Sequence, residues 1–205
     1  IVLVGVAIAF LLFMAFLNVV KSGNLLSETN LLFGAQKADS GRLTLNGRDI
    51  TSGTPRRAIS NGISMIAENR QEDGLFLLRP IRENIAVVKT ERSGALIKAK
   101  AEATLVRSRM DRFRITAAPS QEVRELSGGN QQKAIMSRWL LSDASLYIFD
   151  EPTKGVDIGA KEEIYAFMSE LAAKGKAIIM ISSNMPEIIS MSDLIGIMRG
   201  SEMMK

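Results

Sequence analysis

Short apolar runs alternate with helical segments through the last third of the chain, and this alternation constrains the fold more than any other feature. Strands are predicted over residues 145–149, 177–182 and 194–198, separated by a helix over residues 159–174 and a short helix from Pro186. Near-continuous apolar strands joined by helices are typical of a parallel sheet that is covered on both faces. The chain is therefore predicted to be an α/β protein.

The composition excludes several kinds of catalytic site. The 205 residues contain no cysteine and no histidine, which excludes a disulfide framework, a zinc site built from those ligands and any Ser-His-Asp triad. Lysine and arginine number 26 against 22 aspartates and glutamates. The net charge of +4 is too small and too evenly spread to predict a nucleic-acid surface.

The first twenty residues, IVLVGVAIAFLLFMAFLNVV, carry no charged side chain. A helix of about 20 residues spans about 30 Å, the thickness of the hydrocarbon core of a bilayer, so residues 1–20 are predicted to form a transmembrane helix. A signal peptide and a buried core helix are the alternatives, although no basic leader or cleavage site is visible and core helices are usually shorter. Residues 21–30 are polar and are interpreted as a connector, and Lys21 favours a cytoplasmic position for the remainder.

A hairpin and a short helix are predicted next. The dipeptide Asn46-Gly47 lies between two short alternating segments and is typical of a tight turn between antiparallel strands. Thr54 and Pro55 are expected to begin a short helix that precedes a strand over residues 63–67.

Residues 31–205 are predicted to form one domain. Within it, residues 68–125 are more charged and contain a helical pattern around residues 98–113. This segment is interpreted as a helical lobe.

Asp150 and Glu151 follow the apolar strand predicted over residues 145–149. The carboxyl ends of parallel strands form the edge at which open α/β folds bind ligands. Two carboxylates at this edge predict a cation site, with Asp150 holding Mg²⁺ and Glu151 orienting an attacking water. The alternative is that the two acids only mark the exit of the strand into solvent.

Ser127, Gly128 and Gly129 precede a predicted helix. Ser127 can cap that helix, and the two glycines allow backbone N–H groups to approach an anion, which the helix dipole also favours. Alone, this is also the pattern of an ordinary helix cap after a glycine turn. Its combination with the acids downstream favours a phosphate site.

Four segments together resemble one family. LSGGNQQK (residues 126–133) is similar to the signature of ABC ATPases, and YIFDEPTKGVDIGAKEEIY (residues 147–165) is similar to their Walker B strand, D-loop and following helix. With ENRQEDGL (residues 68–75) and ISSNMPEI (residues 181–188), the pattern resembles the C-terminal ATP-binding domain of the tandem ATPase subunits of monosaccharide importers, the ribose, galactose and xylose group. The resemblance covers about residues 31–200 and implies a P-loop NTPase-like fold: a parallel sheet flanked by helices, a small antiparallel hairpin and a helical lobe.

The resemblance also implies roles for individual residues, with ATP and Mg²⁺ as cofactors. Residues of the signature would contact the γ-phosphate of ATP bound to an opposite domain: Ser127, Gly128, Gly129 and Gln131. The metal would be held by Asp150 and the attacking water by Glu151. Three further binding positions are Glu68 at the Q-loop glutamine, Asp157 in the D-loop and Ser183 where the family has a switch histidine.

No GxxxxGK[ST] phosphate loop is present, and the sequence reads KSGNLLSETN where one belongs. The expectation is a truncated domain that is inactive alone and completes a site whose phosphate loop comes from a partner ATP-binding domain. FLLFMAFLNVVKSGNLLSETN (residues 10–30) also resembles the start of the permease of the same importer group, which predicts a mosaic with its junction near residues 29–32. A start at Ile1 and an end at Lys205 fit a gene cut at both ends.

The leading hypothesis is the ATP-binding subunit of an ABC importer that couples ATP hydrolysis to uptake of a monosaccharide at the cytoplasmic side of the cell membrane. Its partners would be a membrane permease and, indirectly, a periplasmic or surface sugar-binding protein, without nucleic acid. One alternative is a non-catalytic or non-functional mosaic that only supplies a signature motif to a partner. The other is a soluble ABC ATPase of translation or DNA maintenance, although the basic clusters or coiled-coil arms expected there are missing.

Overall fold

A six-stranded sheet lies at the centre of the computed structural model, which describes residues 2–7, 17–20, 28–37, 40–51, 53–93, 99–199 and 202–204. The strands are β1 (Val2–Ala7), β2 (Leu17–Val20), β3 (Ser40–Leu45), β4 (Arg48–Asp49), β5 (Ile63–Ile66), β6 (Leu146–Asp150), β7 (Ala177–Ser182), β8 (Leu194–Arg199) and β9 (Glu202–Met204). The helices are α1 (Glu28–Leu32), α2 (Pro55–Ser60), α3 (Ile81–Ser93), α4 (Ala99–Arg112), α5 (Gly128–Leu140), α6 (Ile158–Ala173) and α7 (Met185–Met191). There are also a π-helical turn, Arg70–Gly74, and a 3-10 turn, Val123–Glu125.

The strands of the main sheet follow the order β5-β6-β7-β1-β8-β9. Strands β5, β6 and β7 are parallel, with Ile63 opposite Leu146 and Leu146 opposite Ala177. Strand β1 lies antiparallel between β7 and β8, and β9 is antiparallel to β8. The predicted parallel arrangement is therefore confirmed for β6, which ends in Asp150, and for its neighbours β5 and β7, while β1 and β9 run in the opposite direction.

The prediction of a transmembrane helix over residues 1–20 is wrong where the structure describes that segment. Val2–Ala7 is a strand of the main sheet, and Leu17–Val20 is a strand that pairs with β3. Residues 1 and 8–16 lie outside the described residues, and among the described ones no helix is long and apolar enough to cross a bilayer. The physical reason is that a short apolar run rich in valine also suits a central strand, and periodicity alone does not distinguish the two.

Side chains of β6 alternate between two cores. Tyr147 and Phe149 belong to the larger hydrophobic cluster, whereas Leu146 and Ile148 belong to the smaller one, which also contains residues of β3 and α2. The sheet is thus buried on both faces at this strand, as its continuous apolar run predicts.

The segment predicted as a helical lobe packs on the larger core. Ile81 and Ile85 of α3 and Val106 and Met110 of α4 are buried in the same cluster as the aromatic side chains of β6. The π-helical turn that precedes α3 consequently lies alongside α5. This arrangement brings residues near position 70 to the start of α5.

Local turn signals are confirmed. Asn46 and Gly47 have φ values of 52° and 74° and connect the antiparallel strands β3 and β4. Thr54 caps α2 by accepting a hydrogen bond from the Arg57 N–H, with Pro55 in the first turn.

Candidate functional site

Asp150 ends β6 at the carboxyl edge of the sheet and is almost fully buried, with 5% of its surface exposed. Its Oδ2 accepts a hydrogen bond of 2.7 Å from Thr29 Oγ1, and Thr29 is itself fully buried in α1. Residues 21–27 lie outside the described residues. The connector predicted over residues 21–30 nevertheless ends within a helix that contacts the predicted metal ligand.

The oxygens of Thr29 and Asp150 suit a hard divalent cation. Mg²⁺ is usually bound through one or two protein ligands together with waters and phosphates, so a carboxylate and a hydroxyl are a sufficient protein contribution. In P-loop NTPases the cation is shared between a Ser or Thr hydroxyl and the acid at the strand end. Among the described residues no cluster of three or more acidic side chains forms a metal site.

Glu151 is held beside the end of β7. Its backbone has a left-handed φ of 46°, which is uncommon for a residue other than glycine. Its N–H donates to the carbonyl of Ile181 at 2.9 Å, and its Oε1 accepts from the N–H of Ser183 at 2.6 Å. The structure therefore brings together two predicted site residues, Glu151 and Ser183.

A buried carboxylate on α7 supports the same edge. Glu187 is 3% exposed, and its Oε2 accepts hydrogen bonds from Thr153 Oγ1 at 3.0 Å and from Ser182 Oγ at 2.9 Å. Ser182 Oγ also accepts from the N–H of Asn184 at 3.0 Å. Glu187 consequently joins the loop after β6 to the end of β7.

Ser127 immediately precedes α5 and is exposed. Its backbone is extended, and its Oγ accepts a hydrogen bond of 3.4 Å from the N–H of Asn130, so it is the N-cap that the sequence predicts. Backbone N–H groups and the helix dipole at such an end favour an anion. Residues 127–129 are hereafter called the signature turn, and a phosphate contact there stays a prediction.

The two glycines of the signature turn are surrounded closely by the same chain. A Cβ on Gly128 would lie 2.7 Å from Nη2 of Arg70, and a Cβ on Gly129 would lie 3.2 Å from both Ala160 Cβ and Asp157 Oδ2. Asp157 Oδ1 caps α6 by accepting from the N–H of Ala160 at 2.8 Å. The predicted D-loop residue thus packs directly on the signature turn.

Gln131 is turned towards the interior and is 3% exposed. Its Nε2 donates to the carbonyl of Val123 at 3.3 Å, and its Oε1 accepts from Arg70 Nε and from Gln71 Nε2, both at 3.4 Å. Both ends of the Gln131 amide thus form hydrogen bonds within the chain. A phosphate contact by Gln131 stays a prediction.

Glu68, the residue at the predicted Q-loop position, pairs with Lys154. The distance from Glu68 Oε1 to Lys154 Nζ is 2.6 Å, and both side chains are largely exposed. The hydrogen bond with Glu68 raises the pKa of Lys154, and the negative charges of Glu68, Glu151 and Asp150 raise it further. Glu68 therefore points to the loop after β6, and not to the acids themselves.

Besides Glu187, sequence reasoning missed Thr29 and Arg70 in this region. Arg70 Nη1 donates to the carbonyl of Lys154 at 3.0 Å, and Nη2 donates to that of Gly155 at 3.4 Å. Thr29 lies 121 positions from its partner Asp150, and Arg70 lies 84 and 85 positions from Lys154 and Gly155. No local sequence pattern therefore reveals these contacts. The only signal for Thr29 was a hydroxyl just before an apolar run.

Comparison with known sequences identifies related proteins. A family model described as "ABC transporter" matches residues 27–154. Ribose import ATP-binding protein RbsA 3 of Rhizobium etli is 48% identical over 172 residues, covering 82% of this chain and 34% of the relative. Ribose import ATP-binding protein RbsA of Bacillus subtilis is 44% identical over 167 residues, covering 80% and 34%. The chain spans about a third of the length of the curated relatives it matches.

Solved structures of ATP-binding cassettes share the fold. A nucleotide-free cassette from an ABC transporter gives a TM-score of 0.65 at 21% identity, covering 80% of this chain and 68% of that one. A dimeric cassette in a post-hydrolysis state bound to ADP and phosphate gives a TM-score of 0.67 at 16% identity, covering 77% and 68%. At these identities the likeness shows the fold alone, and it confirms the α/β architecture predicted from the sequence.

Proposed function

The chain belongs to the ABC transporter family, and we propose that it is an ATP-binding part of an importer that couples ATP hydrolysis to uptake of a monosaccharide. Relatives that are 48% and 44% identical are ribose import ATP-binding proteins. The observation that carries the proposal is the signature turn packed on the cap of α6, in the same domain as two acids at the carboxyl edge of β6.

We assign the signature turn to ATP held by a second ATP-binding domain. None of the 205 residues forms a GxxxxGK[ST] loop, so a partner domain would supply the loop that cradles the phosphates. Ser127 is exposed at the start of α5, and the helix end favours an anion. Ser127 and the main chain of Gly128 and Gly129 would meet the γ-phosphate, while Gln131 would support them from inside.

Asp150 and Glu151 would act on a second ATP, the one that lies at the carboxyl edge of this chain's own sheet. Asp150 and Thr29 would hold Mg²⁺, which, when bound with ATP, neutralises charge on the phosphates. Glu151 would orient the attacking water, and its bond to the Ser183 N–H would keep the carboxylate at the sheet edge. A serine hydroxyl cannot carry the positive charge of an imidazolium. We therefore expect weak hydrolysis at this side and no activity of the chain alone.

Coupling to transport would use the helical segments. Phe76 and Leu78, just before α3, are 56% and 68% exposed and present an apolar surface suited to a membrane permease. Closure of two ATP-binding domains on ATP would draw these segments together and move the permease between inward and outward states, and hydrolysis would reopen it. The chain would act on the cytoplasmic side of the cell membrane, with sugar delivered by a binding protein.

The absence of a GxxxxGK[ST] loop and the serine at position 183 also favour a second candidate function. In this candidate the chain is non-catalytic and only contributes its signature turn to hydrolysis at the partner's phosphate loop. The two candidates differ in whether Glu151 matters for hydrolysis.

A chimera tests the proposed function. The full chain replaces the segment it matches in the ribose import ATP-binding protein RbsA of Bacillus subtilis, and ribose uptake is measured in cells without the native protein. We expect the chimera to restore uptake. A chimera that is folded and present at the membrane, yet restores no uptake, would refute the proposal. Loss of uptake on Glu151→Gln would favour the catalytic candidate, and its retention would favour the non-catalytic one.

Two substitutions of Ser127 isolate the phosphate contact. Asn and Asp cap helices about as well as Ser, so Ser127→Asn and Ser127→Asp should fold alike. A carboxylate at the start of α5 would repel the γ-phosphate, and we expect ATP hydrolysis by the Ser127→Asp chimera to fall on the order of tenfold to a hundredfold below that of Ser127→Asn. Equal hydrolysis by the two would mean that the signature turn does not meet a phosphate.

A further inference from the structure

We propose that Arg70 is a positioning residue that fixes the signature turn to the loop at Lys154 and Gly155, so that both segments meet the partner's nucleotide as one unit. This inference rests on the proposed function for its catalytic consequence. The contacts that define it lie within the chain itself.

The guanidinium of Arg70 contacts two separate parts of the site through three acceptors. Its Nη1 donates to the carbonyl of Lys154 at 3.0 Å, and its Nη2 donates to the carbonyl of Gly155 at 3.4 Å. Its Nε donates to Oε1 of Gln131, one turn into α5, at 3.4 Å. One side chain therefore bridges the loop that follows β6 and the helix that follows the signature turn.

The chemistry of these contacts requires arginine. Within the described part of the chain, the acceptors of Arg70 are two main-chain carbonyls and an amide oxygen, and none is a carboxylate. Five N–H donors in a rigid planar fork can serve adjacent carbonyls and a third acceptor at once, whereas the single ammonium of lysine cannot match that geometry. The role of Arg70 is thus geometric, and charge alone does not fulfil it.

Arg70 also explains why glycine stands at position 128. A Cβ there would lie 2.7 Å from Nη2 of Arg70 and 3.2 Å from the carbonyl oxygen of Gly155. The guanidinium can move aside because it ends a flexible side chain, but moving breaks its bonds to Lys154 and Gly155. An alanine at position 128 should therefore act largely by displacing Arg70.

Neighbouring contacts anchor the bridge at both ends. Gln71 Nε2 donates to the same Gln131 oxygen as Arg70, and Gln131 Nε2 reaches the carbonyl of Val123. On the other side, Glu68 pairs with the side chain of Lys154. Residues near the π-helical turn consequently hold the loop after β6 through a main-chain and a side-chain contact.

A thermal double-mutant cycle on the full chain tests the bridge without nucleotide. Trp139 is the single tryptophan and is 6% exposed in α5, so its fluorescence reports unfolding. We expect Gly128→Ala and Arg70→Ala each to lower Tm, and Gly128→Ala to lower it much less when Arg70 is already alanine. If the Tm shifts of the two substitutions simply add in the double variant, the proposed bridge by Arg70 is wrong. If Arg70→Ala does not fold, Arg70→Lys takes its place in the same cycle.

Steady-state ATP hydrolysis by the chimera tests the catalytic consequence. We expect Arg70→Lys to lower kcat about tenfold with KM nearly unchanged, which corresponds to about 1.4 kcal/mol in the transition state. The control is Arg124→Lys, an exposed arginine whose side-chain contact is a surface pair with Glu122. Equal kcat for the two variants would overturn the positioning role. An inactive unsubstituted chimera would instead refute the proposed function, and the thermal cycle alone would then decide whether Arg70 holds the two segments together.

Discussion

A buried hydrogen bond joins Thr29 to Asp150 inside the protein. Both side chains are buried, and the oxygens lie 2.7 Å apart. Thr29→Val keeps the shape of the side chain but removes the donor, so we expect the free energy of unfolding to fall by about 1–3 kcal/mol. Thr29→Ser retains the hydroxyl and should lose less. Urea unfolding followed by Trp139 fluorescence provides the measurement, and equal losses in the two variants would contradict the assigned bond.

The pair of Glu68 and Lys154 offers a pH test at the same scale. Because Glu68 raises the pKa of Lys154, Glu68→Gln should lower that pKa towards its ordinary value. NMR titration of the lysine side chains measures it directly. Glu72→Gln, on the adjacent turn, is the matched control and should leave the pKa of Lys154 in place.

The sign of the linked stability follows from the direction of that shift. A lysine whose pKa is higher in the folded than in the unfolded state binds more protons when folded. Its contribution to stability is present below the unfolded pKa and is lost as the pH rises through the folded pKa. The stability difference between wild type and Glu68→Gln should therefore disappear at strongly alkaline pH, and a difference that persists there would have another cause.

At the scale of elements, Arg138 connects α5 to α3 and to the π-helical turn before it. It is buried, its guanidinium donates to the carbonyls of Asn84 and Gly74 and to Asn84 Oδ1, and burial lowers its pKa to about 10. Arg138→Met would leave these acceptors without their donor, so we expect the free energy of unfolding to fall by about 2–4 kcal/mol.

Arg138→Lys is the companion variant, since it keeps the charge and loses the planar fork. Its stability should lie between those of wild type and Arg138→Met in urea unfolding. An Arg138→Met protein as stable as wild type would show that the carbonyls do not depend on this cation.

Elements with a strong local signal could be predicted from the sequence. Strand β7 and the hairpin turn at Asn46 and Gly47 follow from an apolar run and from a dipeptide that tolerates positive φ. Strand β1 could not, because its apolar run also suits a membrane helix and only its pairing with β7 and β8 decides between them. Pairing is a long-range property that a short pattern does not encode.

At the scale of the whole molecule, some residues of the candidate site could be predicted from the sequence and others could not. Asp150, Glu151 and the signature turn stand in short linear patterns whose chemistry is local, so the sequence predicts them. Thr29 and Arg70 enter the site only because the fold brings distant segments together. For Gln131 the sequence predicts a place in the signature, but it does not predict that the side chain points inward, where its Nε2 donates to the carbonyl of Val123.

An exposed apolar surface beside α5 gives the last prediction. Asn84 holds the loop before α3 by accepting from the Phe76 N–H at 2.9 Å and donating to its carbonyl at 3.0 Å, and that loop presents Leu78 with 68% of its surface exposed. If this surface meets the permease, Leu78→Ser should lower ribose uptake and co-purification of the permease with the chimera. Its Tm should not change, because an exposed side chain contributes little to folding.

The control for this surface is Ile189→Ser on α7, where the isoleucine is 63% exposed. Both substitutions remove an exposed aliphatic side chain and insert the same hydroxyl, so any general effect on solubility or expression is shared. Only Leu78→Ser should weaken the association with the permease, since Ile189 belongs to α7, which packs on β1 and β7, whereas Leu78 belongs to the loop that Asn84 and Arg138 support. Equal effects of the two substitutions would place the permease contact elsewhere on the molecule.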